Sequence, residues 1–335
     1  MRKILLSFIV LYYVIPTRAY DACIDGIYYN LSDYMKTATV TYKNNSYNSY
    51  SGSVSIPSLI TYLDVSYDVK SIDERAFQNC IDLNSVTIPN SVINISDYAF
   101  YGCTGLKSII IPSNTVSIGE RAFSGCAGLL SVVIESGVKR IDAYAFADCT
   151  SLTTITIPNS VTFIGKYALD DTGWYDNQEE GVVYAGRVAY KYKGTMANNT
   201  NVELEDGIIA IAPQAFYRCT GMTSITIPNS VKEIGEQAFW FCNDLTSIRI
   251  PNSVTNLGDY IFSGCTGLTS VTISNCINKI SIEAFSGCTG LTSVIIPNSV
   301  KSIAQSAFSG CTSLTSVTIP NSVGLIGDGA FSGCI

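Results

Sequence analysis

Ten cysteines recur on a fixed step. Cys80, Cys103, Cys126 and Cys149 stand 23 residues apart, as do Cys219, Cys242, Cys265, Cys288, Cys311 and Cys334. The gap between the two runs is 70 residues, three steps and one more. Self-similarity at such a period is the mark of a solenoid. Each copy is one turn of chain that cannot bury its own apolar side chains, so neighbours must stack and identical residues form rows.

The other slots keep the same register. Phe precedes each ladder cysteine by three residues, as at Phe77, Phe100, Phe216 and Phe308. Leu or Met follows most of them by three, as at Leu83, Leu106, Met222 and Leu314. A β-branched pair comes next, such as Ile155 and Ile157, and Pro often closes it, as at Pro158, Pro228 and Pro320. The unit reads A-F-x-x-C-x-x-L-x-x-[IV]-x-[IV]-P-x-S-V-x-x-I-G. Its alternating apolar pair predicts a strand with one face inward. Pro stops that strand because it has no N–H for a ladder, and Asn-Ser after it is turn chemistry. Val and Ile further on, such as Val231 and Ile234, point inward again.

This unit resembles the leucine-rich repeat of the BspA-like, Treponema-type class found in bacterial and some protist surface proteins. The likeness runs from about Val69 to Cys334. It implies a repeat solenoid, an arc of about a dozen turns with a parallel sheet on the concave face. It also implies exposure at the cell surface and adhesion to host proteins or other cells, and it brings no catalytic motif. At one turn per parallel strand spacing, the sheet should run on the order of 55 to 60 Å.

Two stretches depart from the unit. From 169 to 199 the Phe and Cys slots hold Leu169 and Thr172. Gly181 to Tyr184 and Val188 to Tyr192 read there as strands joined at Ala185-Gly186. Because the register shifts by a single residue, irregular turns are expected and not an inserted domain. Residues 20–68 read as a β cap with a first half-repeat at Val54 and Ile56, since an end turn would otherwise expose its apolar rows. No equivalent cap is visible after Cys334, which leaves a frayed last turn or a fragment of a longer protein. The solenoid is assigned to 69–335.

Composition bears on what the repeat can do. Hydrophobic residues make up 47% and charged residues only 14%, against roughly 25% charged in an average soluble domain. Ser, Thr, Asn and Gly must therefore dress the surface. The net charge is −7, and 20 basic residues are scattered mostly singly, which excludes a counterion-releasing grip on nucleic acid. There is no histidine, so Ser-His-Asp and Cys-His catalysis and imidazole metal sites are excluded. Residues 1–19 read as an export signal, with Arg2 and Lys3, an apolar run from Ile4 to Ile15, and Thr17-Arg18-Ala19 ahead of a cut. After that cut no apolar run is long enough to enter a membrane. Secretion or display at the cell surface is expected.

Candidate chemistry is sparse. The cysteines should be small buried hydrophobes with free thiols, because a linear row does not converge on one metal. Cys23 and Cys276 lie off the row. Ser and Thr alternate with the inward residues of the strands, but Ile110, Val133, Arg249 and Ile295 interrupt the hydroxyl row, which argues against binding an ordered lattice. Asp170, Asp171, Asp176, Glu179 and Glu180 read as a solvated loop, without calcium-loop spacing. The binding candidates are Tyr217, Arg218, Trp240 and Phe241, together with Arg249, Trp174 and Tyr175. Tyr217 and Trp240 stand one step apart and should be neighbours. Large aromatics with Arg dominate binding hot spots, although packing on the irregular turns would also account for them. The function expected is non-catalytic binding of an extracellular or host protein, or of a neighbouring cell, with no metal and no cofactor. The alternatives are a carbohydrate-binding or carbohydrate-active protein centred on the irregular turns, and a structural surface spacer.

Overall fold

The computed structural model describes residues 20–44 and 47–334. The expected export signal and its cleavage site lie outside the described residues. The chain is a β-solenoid of about eleven turns of some 23 residues with parallel sheets. The alternating segment of the repeat forms a long ladder, with Ser108–Ile111, Ser131–Ile134 and Thr154–Thr156 paired in parallel. Ser247–Arg249, Ser270–Thr272 and Ser293–Ile295 repeat this further along. Partners are 23 residues apart, so Ile109 faces Val132 and Val271 faces Val294. The later V-x-x-I segment adds a second, shorter ladder of two-residue strands, such as Asn94–Ile95, Ser117–Ile118 and Arg140–Ile141.

Between the ladders the Ala-Phe-x-x-Cys segment joins turns without forming a strand. The Phe100 N–H donates to the Ala122 carbonyl at 2.7 Å, and Phe285 does the same to Ala307 at 2.8 Å. The rings stack, 4.7 Å apart between Phe77 and Phe100 and 5.2 Å between Phe285 and Phe308. Both faces of these rings are covered, so each buried Phe contributes about 1.5–3 kcal/mol by removal from water. Most ladder thiols then serve as donors to the Phe carbonyl of the turn before them. Cys103 Sγ donates to the Phe77 carbonyl at 2.9 Å and Cys265 Sγ to the Phe239 carbonyl at 3.0 Å. All twelve cysteines are unbridged; Cys23 and Cys276 are exposed, Cys334 is half-buried and the rest are buried.

The cap closes the first turn. Ala22–Ile24, Ile27–Ser32 and Thr37–Thr41 form an antiparallel meander, and Thr37–Thr41 then pairs in parallel with Val65–Ile72. The boundary read at 68 falls inside Val65–Ile72. The first half of that strand closes a hairpin with Leu59–Tyr62, and its end joins Asn94–Ile95. Val54, in the half-repeat strand Gly52–Ser55, pairs with Val86. Tyr50 lies on Phe77 with ring centroids 4.4 Å apart and donates its hydroxyl to the Thr41 carbonyl, which ends the Phe stack.

The stack is interrupted once among the described residues. Gly181–Ala185 and Val188–Lys193 form a hairpin that turns at Gly186, whose φ is 60°. Val188 pairs with Ala210, so the hairpin's second strand takes a place in the short ladder. Thr200 pairs with Met222, and a bulge restores the full step at Asn201 and Ser224. Leu169 fills the Phe slot with a shorter side chain, and the buried Tyr190 occupies the space beyond it. The Leu169 N–H donates to the Tyr190 hydroxyl at 3.0 Å, where a regular turn offers an Ala carbonyl. The core divides here into two apolar clusters.

Candidate binding site

Two residues in each regular turn have positive φ. One lies two positions before the Phe slot, as at Tyr98 (57°) and Gln237 (57°). The other lies two positions after it, and its N–H donates to the following turn, as Gly125 does to Ala147 at 2.9 Å. Left-handed backbone costs an ordinary L-residue roughly 1–2 kcal/mol, while Gly adopts it freely and Asn or Asp with little strain. The second slot obeys this rule with Asn79, Gly102, Gly125, Asp148, Asp171, Gly264, Gly287 and Gly310. Arg218 (58°) and Phe241 (56°) break it. Their N–H groups still reach Trp240 O at 2.8 Å and Ser263 O at 2.9 Å, so the backbone keeps its path and absorbs the strain.

These residues and their neighbours form one patch. The Tyr217 and Trp240 rings are 5.4 Å apart at 44°, and Trp240 stacks on Phe241 at 5.1 Å and 25°. The Arg218 guanidinium lies over Tyr217 at 5.2 Å and over Phe241 at 5.7 Å. Arg218 is exposed and the three rings are half-buried. Beside Tyr217 opens a cleft of about 80 Å³, lined by Tyr167, Tyr190, Lys191, Tyr192, Pro213 and Gln214. Gln214 donates to Gln237 Oε1 at 2.5 Å, while its own buried Oε1 has no partner.

The remaining candidates sit elsewhere. Trp174 and Tyr175 belong to a one-turn helix, Gly173–Asp176, capped by the Thr172 hydroxyl at 3.1 Å from the Tyr175 N–H. Both are half-buried against the first core cluster. Tyr175 meets Tyr190 edge-on at 6.1 Å, and burial, with Asp170 and Asp176 nearby, pushes its hydroxyl up to about 12. Lys193 Nζ donates to the carbonyls of Tyr175, Asp176 and Gln178 at 2.6–3.1 Å, a cation at the helix C-terminus. Arg249 is exposed in the long ladder, where it pairs with Thr272, in the strand segment of the turn that carries Trp240 and Phe241 and not in the segment that forms the patch. Asp170 is engaged by the Tyr190 hydroxyl at 2.6 Å and by Lys191 Nζ. Among the described residues no group of His, Cys, Asp or Glu side chains is placed to hold a metal ion, and no helix is long and apolar enough to cross a membrane.

The profile of the BspA-type leucine-rich repeat region matches residues 44–174, 189–311 and 278–335 in six copies. The chain belongs to the BspA-type leucine-rich repeat family. No curated protein matches it with significance. Among solved structures, a leucine-rich repeat protein from Bacteroides ovatus is 27% identical, with 94% of this chain and 93% of that one covered and a TM-score of 0.38. A leucine-rich cell surface protein from Faecalibacterium prausnitzii is also 27% identical, with 93% and 92% covered and a TM-score of 0.38. The pneumococcal vaccine antigen PcpA is 21% identical, with 91% and 93% covered and a TM-score of 0.36.

Within this BspA-type repeat the structure assembles residues that the sequence reading passed over. The left-handed slot before Phe holds Arg75, Tyr98, Arg121, Tyr144 and Tyr167 in successive turns. Arg75 lies over Tyr98 at 4.9 Å and Arg121 over Tyr144 at 4.2 Å, and Tyr144 stacks on Tyr167 at 5.1 Å. Tyr167 reaches the cleft, so this row runs into the patch. The alternation of Arg and Tyr on the 23-residue step was the available signal. On the long ladder, Ile110 and Ile295 are 58% and 82% exposed, which leaves the hydroxyl row broken on its outer face.

Proposed function

We propose that this chain is an exported, non-catalytic binding protein that engages an extracellular protein partner through the Tyr217, Arg218, Trp240 and Phe241 patch. The observation that carries the reading is the strain at Arg218 and Phe241. Other turns place Gly, Asn or Asp in that slot, and a fold selected for stability alone would do the same here. The slot before Phe carries ordinary residues at positive φ in nearly every turn, but among the described residues the slot after it does so only in these two adjacent turns. Strained backbone kept where Gly, Asn or Asp otherwise stands is a pointer to function. The residue types agree, since Trp, Tyr and Arg are enriched where binding energy concentrates. A glycosidase reading needs two carboxylates facing a substrate. Asp170 is already engaged by Tyr190 and Lys191, and Asp171, Asp176, Glu179 and Glu180 are exposed.

The test restores the Ser-Gly pair that regular turns carry. Tyr217→Ser with Arg218→Gly, and Trp240→Ser with Phe241→Gly, should fold at least as well as the parent. Each should weaken capture of host extracellular-matrix proteins by the purified chain, with hot-spot losses of about 2 kcal/mol or more. Capture unchanged in both variants would discard the patch as the binding site.

A further inference from the structure

We infer that the patch and its cleft take an extended, proline-rich protein segment that places a carboxylate on Arg218. This rests on the binding-protein reading and names the partner of the same site. The first observation is size. A cleft of about 80 Å³ has room for two or three waters and is far below the roughly 300 Å³ at which small-molecule pockets begin. It is a notch for one compact group of a larger partner. Its walls are the rings of Tyr167, Tyr190, Tyr192 and Tyr217, with Pro213, and aromatic-lined notches are what prolines of a polyproline II segment enter.

The second observation is spacing. The notch lies on one side of the Tyr217 and Trp240 pair. Beyond Trp240 the same slots hold Ser263 and Gly264, and Phe241 lies against Gly264, so a ledge opens on the other side. The notch is lined by three successive turns and centred on that of Tyr192, so the ledge lies three turns beyond it, roughly 15 Å at the parallel-strand spacing. A polyproline II segment rises about 3.1 Å per residue, so about five residues span that distance. Such a segment, running along the solenoid axis, reaches both notch and ledge.

The third observation is hydrogen bonding and charge. A polyproline II backbone has no internal hydrogen bonds and leaves its carbonyls open. The Tyr192 and Tyr217 hydroxyls and the Trp240 indole N–H are donors with no hydrogen-bond partner among the described residues. Arg218 is held between two rings and has no carboxylate partner among the described residues, in a chain of net charge −7. Lys191, by contrast, is paired with Asp170. The guanidinium fork is thus left for a carboxylate supplied by the partner. A sugar would need an open ring face, whereas Trp240 and Phe241 stack on each other and the Arg218 guanidinium lies over the Tyr217 ring.

Calorimetric titration of the whole chain with synthetic peptides tests this. The probes are polyproline peptides in which a single Glu is walked along the core, the same peptides with Gln for Glu, Pro-to-Ala counterparts, and a neutral cello-oligosaccharide. Saturable binding is expected for at least one Glu position. It should fall about tenfold with Gln in the peptide or with Arg218→Gln in the protein, and no further with both changes together. Arg218→Gly, which relieves the backbone, should behave as Arg218→Gln does. Equal binding of the Pro-to-Ala peptides, no binding of any Glu peptide, equal weakening of Glu and Gln peptides by Arg218→Gln, or binding of the oligosaccharide alone would each overturn the inference. If the Ser-Gly variants lose matrix capture while no peptide binds, the patch remains a protein-binding site and only the polyproline assignment falls.

Discussion

At the scale of single residues, the cysteine row shows how a reactive side chain becomes structural. Each ladder thiol is desolvated, and most donate to a Phe carbonyl of the preceding turn. Burial pushes Cys80, Cys219 and Cys311 up to about 12, and holds Cys126, Cys242 and Cys288 well above the usual thiol range. A thiol that cannot ionise is neither a nucleophile nor a metal ligand. In the folded chain at mildly alkaline pH, a thiol reagent should therefore modify Cys23 and Cys276 quickly, with Cys334 slower and the others only on unfolding. Fast modification of the whole set would show that the row is open to water. The same shifts fix the sign of the pH dependence. An unfolded thiol ionises near 9 and a buried one near 12, so above 9 the unfolded chain binds fewer protons than the native one. The protection is complete below about 9 and is lost as pH rises toward 12, and urea midpoints should fall across that window. Cys265→Ala removes a buried donor and leaves a small void, and should cost about 1–2 kcal/mol. Cys276→Ala, on the surface, should stay within about 0.5 kcal/mol. Equal effects of the two on the urea midpoint would contradict the hydrogen-bonding role.

At the scale of one turn, the positive-φ slots separate what the amino-acid pattern could reveal from what it could not. The Phe, Cys and Leu slots were legible because apolar side chains that stack on their own copies must recur at one spacing. The strand around Ile155 followed from alternation and from the Pro after it, whereas the same pattern at Val317 forms only an isolated bridge, between Thr318 and Ile295. The neighbourhood of Tyr217 and Trp240 was legible for the same reason, since one period separates them. The left-handed slots were not, because a residue type does not report its φ unless it is Gly, and only some copies use Gly there. Nor could the pattern supply Tyr190, which fills the gap beyond Leu169 from a hairpin outside the repeat register. Once the conformation is known, substitution follows. Arg218→Gly should raise stability by about 1 kcal/mol, and Gly310→Arg should lower it by a similar amount. Neither position is crowded by a β-carbon clash that would override the backbone effect, Gly310 having only Gly287 backbone atoms at 3.6 Å. Thermal unfolding of the two variants checks the sign, and a loss of stability for Arg218→Gly would mean that the ring contacts of Arg218 outweigh its strain.

At the scale of the whole molecule, the solenoid has one joint among the described residues. In an array of this kind each turn is stabilised by its neighbours, so cooperativity passes from turn to turn only while the interfaces between them are strong. The interface at residues 169–199 differs from the others. The Phe stack stops at Phe146 and resumes at Phe216, and the two core clusters border each other there. Tyr190 is the bridge, with its ring in the core, its hydroxyl accepting from Leu169 N–H and donating to Asp170. Burial, with Asp170 beside it, raises that hydroxyl well above the usual tyrosine range, so it stays protonated as a donor. Tyr190→Phe keeps the ring but leaves the Leu169 N–H buried without a partner, a cost of about 1–3 kcal/mol. That variant should unfold in one transition at a lower midpoint. Tyr190→Ala also empties the ring's volume, a loss of about 3–5 kcal/mol concentrated at one interface. The turns around Ile118 and Ile141 should then lose protection in a different step from those around Ile234 and Ile280. Hydrogen exchange followed by mass spectrometry along a urea series distinguishes the cases. A single transition shared by both halves of Tyr190→Ala would mean that the hairpin backbone, through Val188 and Ala210, transmits the coupling without the tyrosine.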